Sequence, residues 1–393
     1  MDRIICLGNS LAGMKALELI RAARPESELS VLATENVLPY HPARLAAWVA
    51  KHIPEEDLYC QTQDFYKTNR IELIFEKRIA RINFRKNQIV TEEKEIFPFD
   101  MLLLSDTPQV KFFDLKGGGK AGVFSAGRLS DIKNLLNSLP AIDTLIIQVS
   151  DWESLRLAAA LLSTAKEVVV LCPGASFLPQ VLEPESSLLL MKFLQEKGMR
   201  ILPENEVVEV LGENDVKAVR LKSKKVLACE ALVLGSARPD FRLLADTPLQ
   251  TTFGLTVDEN FVTSLKHVYA FDRMISPKSG EAGGRSTDTL EEQGKIMAAA
   301  IGKAAYAYPP IIFQELIQLP GLTAGFLGEV KLPLGGQIHH RLVEADRSYK
   351  KIFLDREGIL RGAILFNALN SKDQCLQWLR QGVCVLGREQ ELL

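Results

Sequence analysis

At 393 residues the chain exceeds one ordinary domain, and two or three are expected. It is 47% hydrophobic and 24% charged with a net charge of −2, a globular balance that lacks the basic surplus expected of a partner of nucleic acid or anionic membrane. No apolar run approaches the roughly 18–20 residues that cross a bilayer. The chain enters a strand at once, so no signal peptide is expected. Cys6, Cys60, Cys172, Cys229, Cys375 and Cys384 form no C-x-x-C pair, which argues against a redox disulfide or a cysteine-ligated cluster and leaves a cytoplasmic location as the expectation.

Residues 1–35 carry the clearest pattern. Arg3 to Leu7 reads as a strand, Gly8-Asn9-Ser10-Leu11-Ala12-Gly13 as a G-x-S-x-x-G turn, Met14 to Ala23 as a helix and Leu29 to Ala33 as a second strand. This is a βαβ unit whose first turn has the form of a phosphate-binding turn of a dinucleotide fold. Gly8 permits the tight turn, a small residue at Ser10 lets a pyrophosphate approach the backbone, and Gly13 lets helix and strand pack closely. The helix start, with Leu11 and Ala12, offers N–H groups and a positive dipole end to the phosphates.

Pro39 and Pro42 then bracket a loop, and two short antiparallel strands are expected around Arg85-Lys86-Asn87. Asp100 to Ser105 reads as a buried parallel strand. Lys116-Gly117-Gly118-Gly119-Lys120 reads as a flexible break. Beyond it the pattern partly repeats: helix Ser130 to Leu139, strand Thr144 to Val149, a helix from about Ser150 to Thr164, strand Glu167 to Leu171, helix Glu185 to Lys197, strand-like pieces at 200–211 and 216–222, and the run Ala231 to Leu234. A loop at 273–286, a helix from Thr287 to Ala305 and a mixed block after Pro309-Pro310 complete the chain. The expected fold is α/β, with two nested Rossmann-like units and a small C-terminal α/β domain. The segments are 1–115 and 241–310 for the outer unit, 120–240 for the inserted one and 311–393 for the tail. His339-His340 after Gly335-Gly336 reads as a surface turn, since no carboxylate or cysteine spacing completes a metal site.

This arrangement resembles the FAD- and NAD(P)-dependent pyridine nucleotide–disulfide oxidoreductase superfamily. The likeness is to its non-disulfide branch of rubredoxin and ferredoxin reductases, apoptosis-inducing-factor-like proteins and the flavin portion of assimilatory nitrite reductases. It is carried by GNSLAG at 8–13, LPY at 38–40, FDMLLLSDTP at 99–108, ASFLPQVLEPESSLLL at 175–190, LGSARPD at 234–240, VYAFD at 268–272, EEQGKIMAAA at 291–300 and RSYKKIFLDREGILRGAIL at 347–365.

The resemblance implies noncovalent FAD in the N-terminal unit, held by Gly8, Ser10, Leu11, Ala12 and Gly13. The acid that accepts ribose hydroxyls falls on Thr34, with Glu35 one residue later. Glu35 serves if the strand end shifts by one, and is otherwise a solvated loop acid. Asp272 matches the aspartate of the flavin ribityl chain, Phe271 replaces the preceding family glycine, and Arg44 is a loose match for a phosphate-neutralising arginine. Ser105-Asp106-Thr107 replaces the family's A-T-G. In the inserted unit Val149-Ser150-Asp151-Trp152-Glu153-Ser154 stands where the family has G-G-G-x-x-G. Asp151 and Glu153 then fall in the first turn of a helix with Ser150 as its N-cap, where carboxylates repel a pyrophosphate. FAD is therefore the expected cofactor, and NAD(P)H binding is in doubt. The function this implies is an electron-transfer flavoprotein subunit exchanging electrons with a redox protein, an iron–sulfur protein or another complex subunit. The alternatives are an NAD(P)H-dependent rubredoxin- or ferredoxin-type reductase, and a non-catalytic scaffold that has lost its nucleotides.

Overall fold

Among the described residues three five-stranded sheets, with two small three-stranded antiparallel sheets beside them, organise the chain. The computed structural model describes residues 2–105, 115–162, 167–179, 182–235, 241–244, 247–249, 254–275, 287–303, 312–319, 321–343, 345 and 347–393. The readings made on Asp106, Thr107, 236–240, 276–286 and Pro309-Pro310 lie outside these residues.

The outer unit opens with Arg3–Leu7 (β1), Leu11–Ala23 (α1) and Glu28–Leu32 (β2). Ile4 to Leu7 are buried in succession, as in a strand covered on both faces. Leu45–Val49 (α2) and Gln63–Thr68 (α3) lead to Ile71–Ile74 (β3). Next come three antiparallel strands, Ile79–Asn83 (β4), Gln88–Thr91 (β5) and Ile96–Pro98 (β6), then Met101–Leu104 (β7) parallel to β1. The inserted unit follows with Val123–Ser125 (β8), Leu129–Ser138 (α4), Thr144–Gln148 (β9), Trp152–Leu161 (α5), Glu167–Leu171 (β10), Pro184–Glu196 (α6) and Arg200–Leu202 (β11). Val207–Leu211 (β12), Ala218–Leu221 (β13) and Val226–Ala228 (β14) form its own antiparallel layer, and Ala231–Leu234 (β15) returns to its main sheet. Val268–Ala270 (β16) then pairs with β7. The outer sheet therefore runs β16-β7-β1-β2-β3 and the inserted one β11-β10-β9-β15-β8, both parallel. The chain leaves one dinucleotide-type sheet, completes another and comes back.

Thr287–Gly302 (α7) lies across α1. Gly294 makes that crossing possible: a Cβ there would sit 2.6 Å from the Ala12 carbonyl oxygen. The tail is an antiparallel sheet ordered Gln314–Leu319 (β17), Leu322–Gly328 (β18), Leu360–Phe366 (the last strand, β21), Ser348–Leu354 (β20) and Gln337–Val343 (β19), backed by Lys372–Gln381 (α8). His339 and His340 lie in the middle of the edge strand β19, where a turn was expected; the turn is completed earlier, at Gly335 with φ +73°. The glycine-rich stretch read as a flexible break is pinned, because the Lys116 carbonyl accepts the Val210 N–H at 2.8 Å. No helix among the described residues is long and apolar enough to cross a membrane.

Helix α5 is buried along its whole length between the inserted sheet and the tail. Trp152 stacks on Phe326 at 4.7 Å between ring centroids, and Arg156 pairs with Glu315 at 2.5 Å. Lys351 of β20, 2% exposed, reaches Glu183 at 3.0 Å and Glu185 at 2.6 Å at the start of α6.

Candidate functional site

At the C-terminal ends of β1, β2 and β16 one cleft, enclosing about 580 Å³ including its open mouth, is lined by Gly8, Ser10, Leu11, Thr34, Glu35 and Asp272. An open α/β sheet offers its ligand site at this end. Gly8 adopts φ +103° and its N–H donates to the Leu32 carbonyl at 2.8 Å, which closes the turn onto β2. Ser10 is the N-cap of α1, its hydroxyl accepting the Gly13 N–H at 3.2 Å. The helix consequently starts at Leu11, three residues before the start expected from the apolar pattern. The first-turn amides of Leu11 and Ala12 precede the helix's own ladder, and no acidic side chain occupies that turn. Gly13 lies behind the cleft, where a Cβ would stand 2.8 Å from Cys6 Sγ, so its role is close packing of helix on strand. Burial pushes the Cys6 thiol up to about 12, so it stays protonated as a buried core residue.

Glu35 does face the cleft. Its Oε1 accepts from Arg128 Nε at 2.7 Å, from Arg128 Nη2 and from Ser130 Oγ at 2.9 Å. All three donors take one oxygen, Oε1. Thr34 lines the cleft beside it. Asp272, 8% exposed, holds a left-handed φ of +56° while its N–H donates to Gln293 Oε1 of α7 at 2.9 Å. Phe271, the residue before Asp272, is not among those that line the cleft. It is fully buried beneath α1, 3.6 Å from the position of a Gly13 Cβ. Arg44 stands apart from the cleft lining, exposed, with Nη1 donating to the Asp57 carbonyl at 2.9 Å.

Several contributors escaped the sequence reading. Asn9 ties the turn to its surroundings by donating to the Val37 carbonyl at 3.0 Å and accepting from the Tyr66 hydroxyl at 2.7 Å. Tyr40 lines the cleft and donates to the Gly127 carbonyl at 3.0 Å. Arg128 and Ser130 come from the start of α4, Ser105 from the end of β7. Ser105 and Tyr40 lie within sequence segments that carry the resemblance, without a role of their own, whereas Arg128 and Ser130 are marked only by their polarity beside an apolar run.

The corresponding turn of the inserted unit is built differently. Asp151, not Ser150, caps α5: its side chain accepts the Ser154 N–H at 2.9 Å, and Ser154 Oγ accepts the Asp151 N–H at 3.2 Å. Glu153 in the first turn is buried. A Cβ at Gly235 would meet Ser150 Oγ at 1.9 Å, so β15 closes directly over this turn. Among the described residues no cluster of His, Cys, Asp and Glu is placed to hold a metal ion.

Comparison with known proteins agrees with this architecture. The chain is 23% identical over 367 residues to a nitrite reductase [NAD(P)H] of Bacillus subtilis, covering 93% of this chain and 45% of that one. It is 22% identical over 385 residues to an assimilatory nitrate reductase electron transfer subunit of the same organism, covering 96% and 49%. The chain thus spans about half the length of these relatives. Putidaredoxin reductase, as solved in covalent complex with putidaredoxin, superposes with a TM-score of 0.86 at 19% identity over 98% of this chain and 94% of that one, a likeness of fold. Residues 2–275, which hold both nested sheets and every cleft residue named above, match the pyridine nucleotide-disulphide oxidoreductase family, and the chain belongs to it.

Proposed function

We propose that the cleft holds FAD and that the chain is an electron-transfer subunit, exchanging electrons between that flavin and a redox protein partner. The observation that carries this is the convergence of Gly8, Ser10, Leu11, Glu35 and Asp272 on one cleft at the N-terminus of α1. The residues fit the group. Leu11 and Ala12 amides suit a pyrophosphate, Glu35 Oε2 suits ribose hydroxyls, and the buried Asp272 carboxylate suits a polyol chain. Bound flavin supplies one- and two-electron chemistry, while the protein supplies binding, orientation and exclusion of water. At the inserted unit the carboxylates of Asp151 and Glu153 occupy the positive end of α5, which disfavours a second dinucleotide there. Electrons then arrive from, and leave to, protein partners. The similarity to an assimilatory nitrate reductase electron transfer subunit supports this reading.

The other reading takes its support from the nitrite reductase relative, whose name includes NAD(P)H. In that case the nicotinamide nucleotide binds without a glycine turn. One experiment separates the two. Protein reconstituted with FAD is made anaerobic and mixed with NADH or NADPH. Persistence of the oxidised flavin spectrum, followed by reduction with dithionite, is expected. Bleaching within seconds of adding pyridine nucleotide overturns the subunit reading, and protein that stays colourless after reconstitution overturns the flavin itself.

A further inference from the structure

Ser105 is a hydroxyl at the end of the buried run Met101–Leu104, and it is fully buried. Its N–H donates to the Leu7 carbonyl at 3.0 Å, which sets it beside the end of β1 and under the glycine turn. Its Oγ donates to Ser10 Oγ. Ser10 Oγ also accepts the Gly13 N–H at 3.2 Å. A serine oxygen has two lone pairs and one proton. Both lone pairs of Ser10 are engaged, one by Ser105 and one by the helix it caps. The proton is left to point along the one remaining direction, and Ser10 is a lining residue of the cleft. No hydrogen bond takes that proton among the described residues.

We propose that Ser105 is a positioning residue: it fixes the Ser10 hydroxyl as a donor aimed into the cleft, for a phosphate oxygen of the bound dinucleotide. This rests on the flavin reading and adds to it a residue for which the resemblance has alanine. A hydroxyl in place of that alanine is costly in an apolar strand end unless it makes a hydrogen bond. Here it makes one that polarises the turn. With alanine at 105, Ser10 keeps its cap but one lone pair is released, its proton is free to turn inward, and the donor is no longer pre-aimed.

The test is a double-variant cycle on reconstituted protein, using FAD as the probe. Apoprotein of the wild type, Ser105→Ala, Ser10→Ala and the pair is titrated with FAD, and phosphorus NMR follows the bound pyrophosphate. Ser105→Ala is expected to weaken FAD by about three- to tenfold in the wild-type background. It is expected to weaken it no further in the Ser10→Ala background, and to shift a pyrophosphate resonance as Ser10→Ala does. If Ser105→Ala does not fold by circular dichroism, Ser105→Cys, which keeps a side chain there but donates weakly, replaces it. Unchanged affinity in Ser105→Ala, or losses that simply add in the pair, overturns the inference while wild-type FAD uptake still stands. Wild-type protein that takes up no FAD overturns the flavin reading and this inference with it.

Discussion

Arg128 Nε lies 2.7 Å from Glu35 Oε1, joining the end of β2 to the start of α4 across 93 positions of sequence. The pair holds the carboxylate through Oε1, which Ser130 Oγ also reaches, in a residue that lines the cleft. Both Thr34 and Glu35 line the cleft, and the choice between them as ribose acceptor is a matter for experiment. Glu35→Gln is expected to weaken FAD by about tenfold, the scale of a lost charge-assisted hydrogen bond. Thr34→Ala should change it little, and Arg128→Met should approach the loss of Glu35→Gln. FAD titration of the three apoproteins checks this. A Thr34→Ala effect larger than that of Glu35→Gln would reverse the assignment.

The turn at Gly8 to Gly13 depends on a helix crossing one layer behind it. Gly294 brings α7 against α1, with Ala12 O and Lys15 Cβ at 2.6 and 2.9 Å from the position of an added Cβ. Gly294→Ala must push the helices apart, at a cost of about 1–3 kcal/mol. Because Ala12 belongs to the first turn of α1, the displacement is transmitted to the cleft. Urea unfolding should show the destabilisation, and gel filtration should show FAD lost from the variant. A Gly294→Ala protein with wild-type stability would mean that the crossing is loose.

Much of this arrangement is legible in the sequence, for local reasons. Gly8 with φ +103°, a capping serine and a clean apolar run leave few alternatives to a strand–turn–helix. The loss of the second glycine turn is equally readable, since Asp151 and Glu153 are adjacent to a helix start. The unreadable part is tertiary. Glu35 meets Arg128, Ser10 meets Ser105 and Asn9 meets Tyr66 only after three loops are folded. Phe271 reads in the sequence only as a departure from the family's glycine, and its burial under α1 appears once the chain is folded. Arg44 looks like a phosphate partner and is instead an exposed side chain bonded to the Asp57 carbonyl.

Lys351, Glu183 and Glu185 predict a pH signature for the junction of inserted unit and tail. Burial alone would raise the Glu183 carboxyl, but hydrogen bonds from Ser186 and Lys351 outweigh it and hold the group below its ordinary 4.5. Burial draws Lys351 down, and its two glutamates outweigh this and hold it above its ordinary 10.5. A depressed carboxyl gives stability that is present above 4.5 and is lost as pH falls through the folded value. A raised amine gives stability that is present below 10.5 and is lost as pH rises through its folded value. The melting-temperature gap between wild type and Lys351→Met should therefore be flat through neutrality and close on acidification below 4.5. A gap that persists unchanged in acid would show that the lysine acts through packing alone.

Arg156 and Glu315 make the sharpest test of what α5 has become. Their side chains are 5% and 2% exposed, and the ion pair spans the inserted unit and β17. Burial lowers the Arg156 guanidinium, yet Glu315, Glu153 and Asp151 together hold it above its ordinary value, so it stays charged inside the protein. A buried pair is held by mutual attraction against a large loss of hydration, and removing one member leaves the other's hydration loss uncompensated. Arg156→Met or Glu315→Leu alone should cost about 3–5 kcal/mol, and the double variant less than either single one. Urea unfolding followed by tryptophan fluorescence reads this directly, since Trp152 lies one helical turn from Arg156 and stacks on Phe326 of the tail. Losses that add would mean the two charges are stabilised by separate surroundings. Coupling of the expected sign would mean that α5 fastens the inserted unit to the C-terminal sheet through this pair.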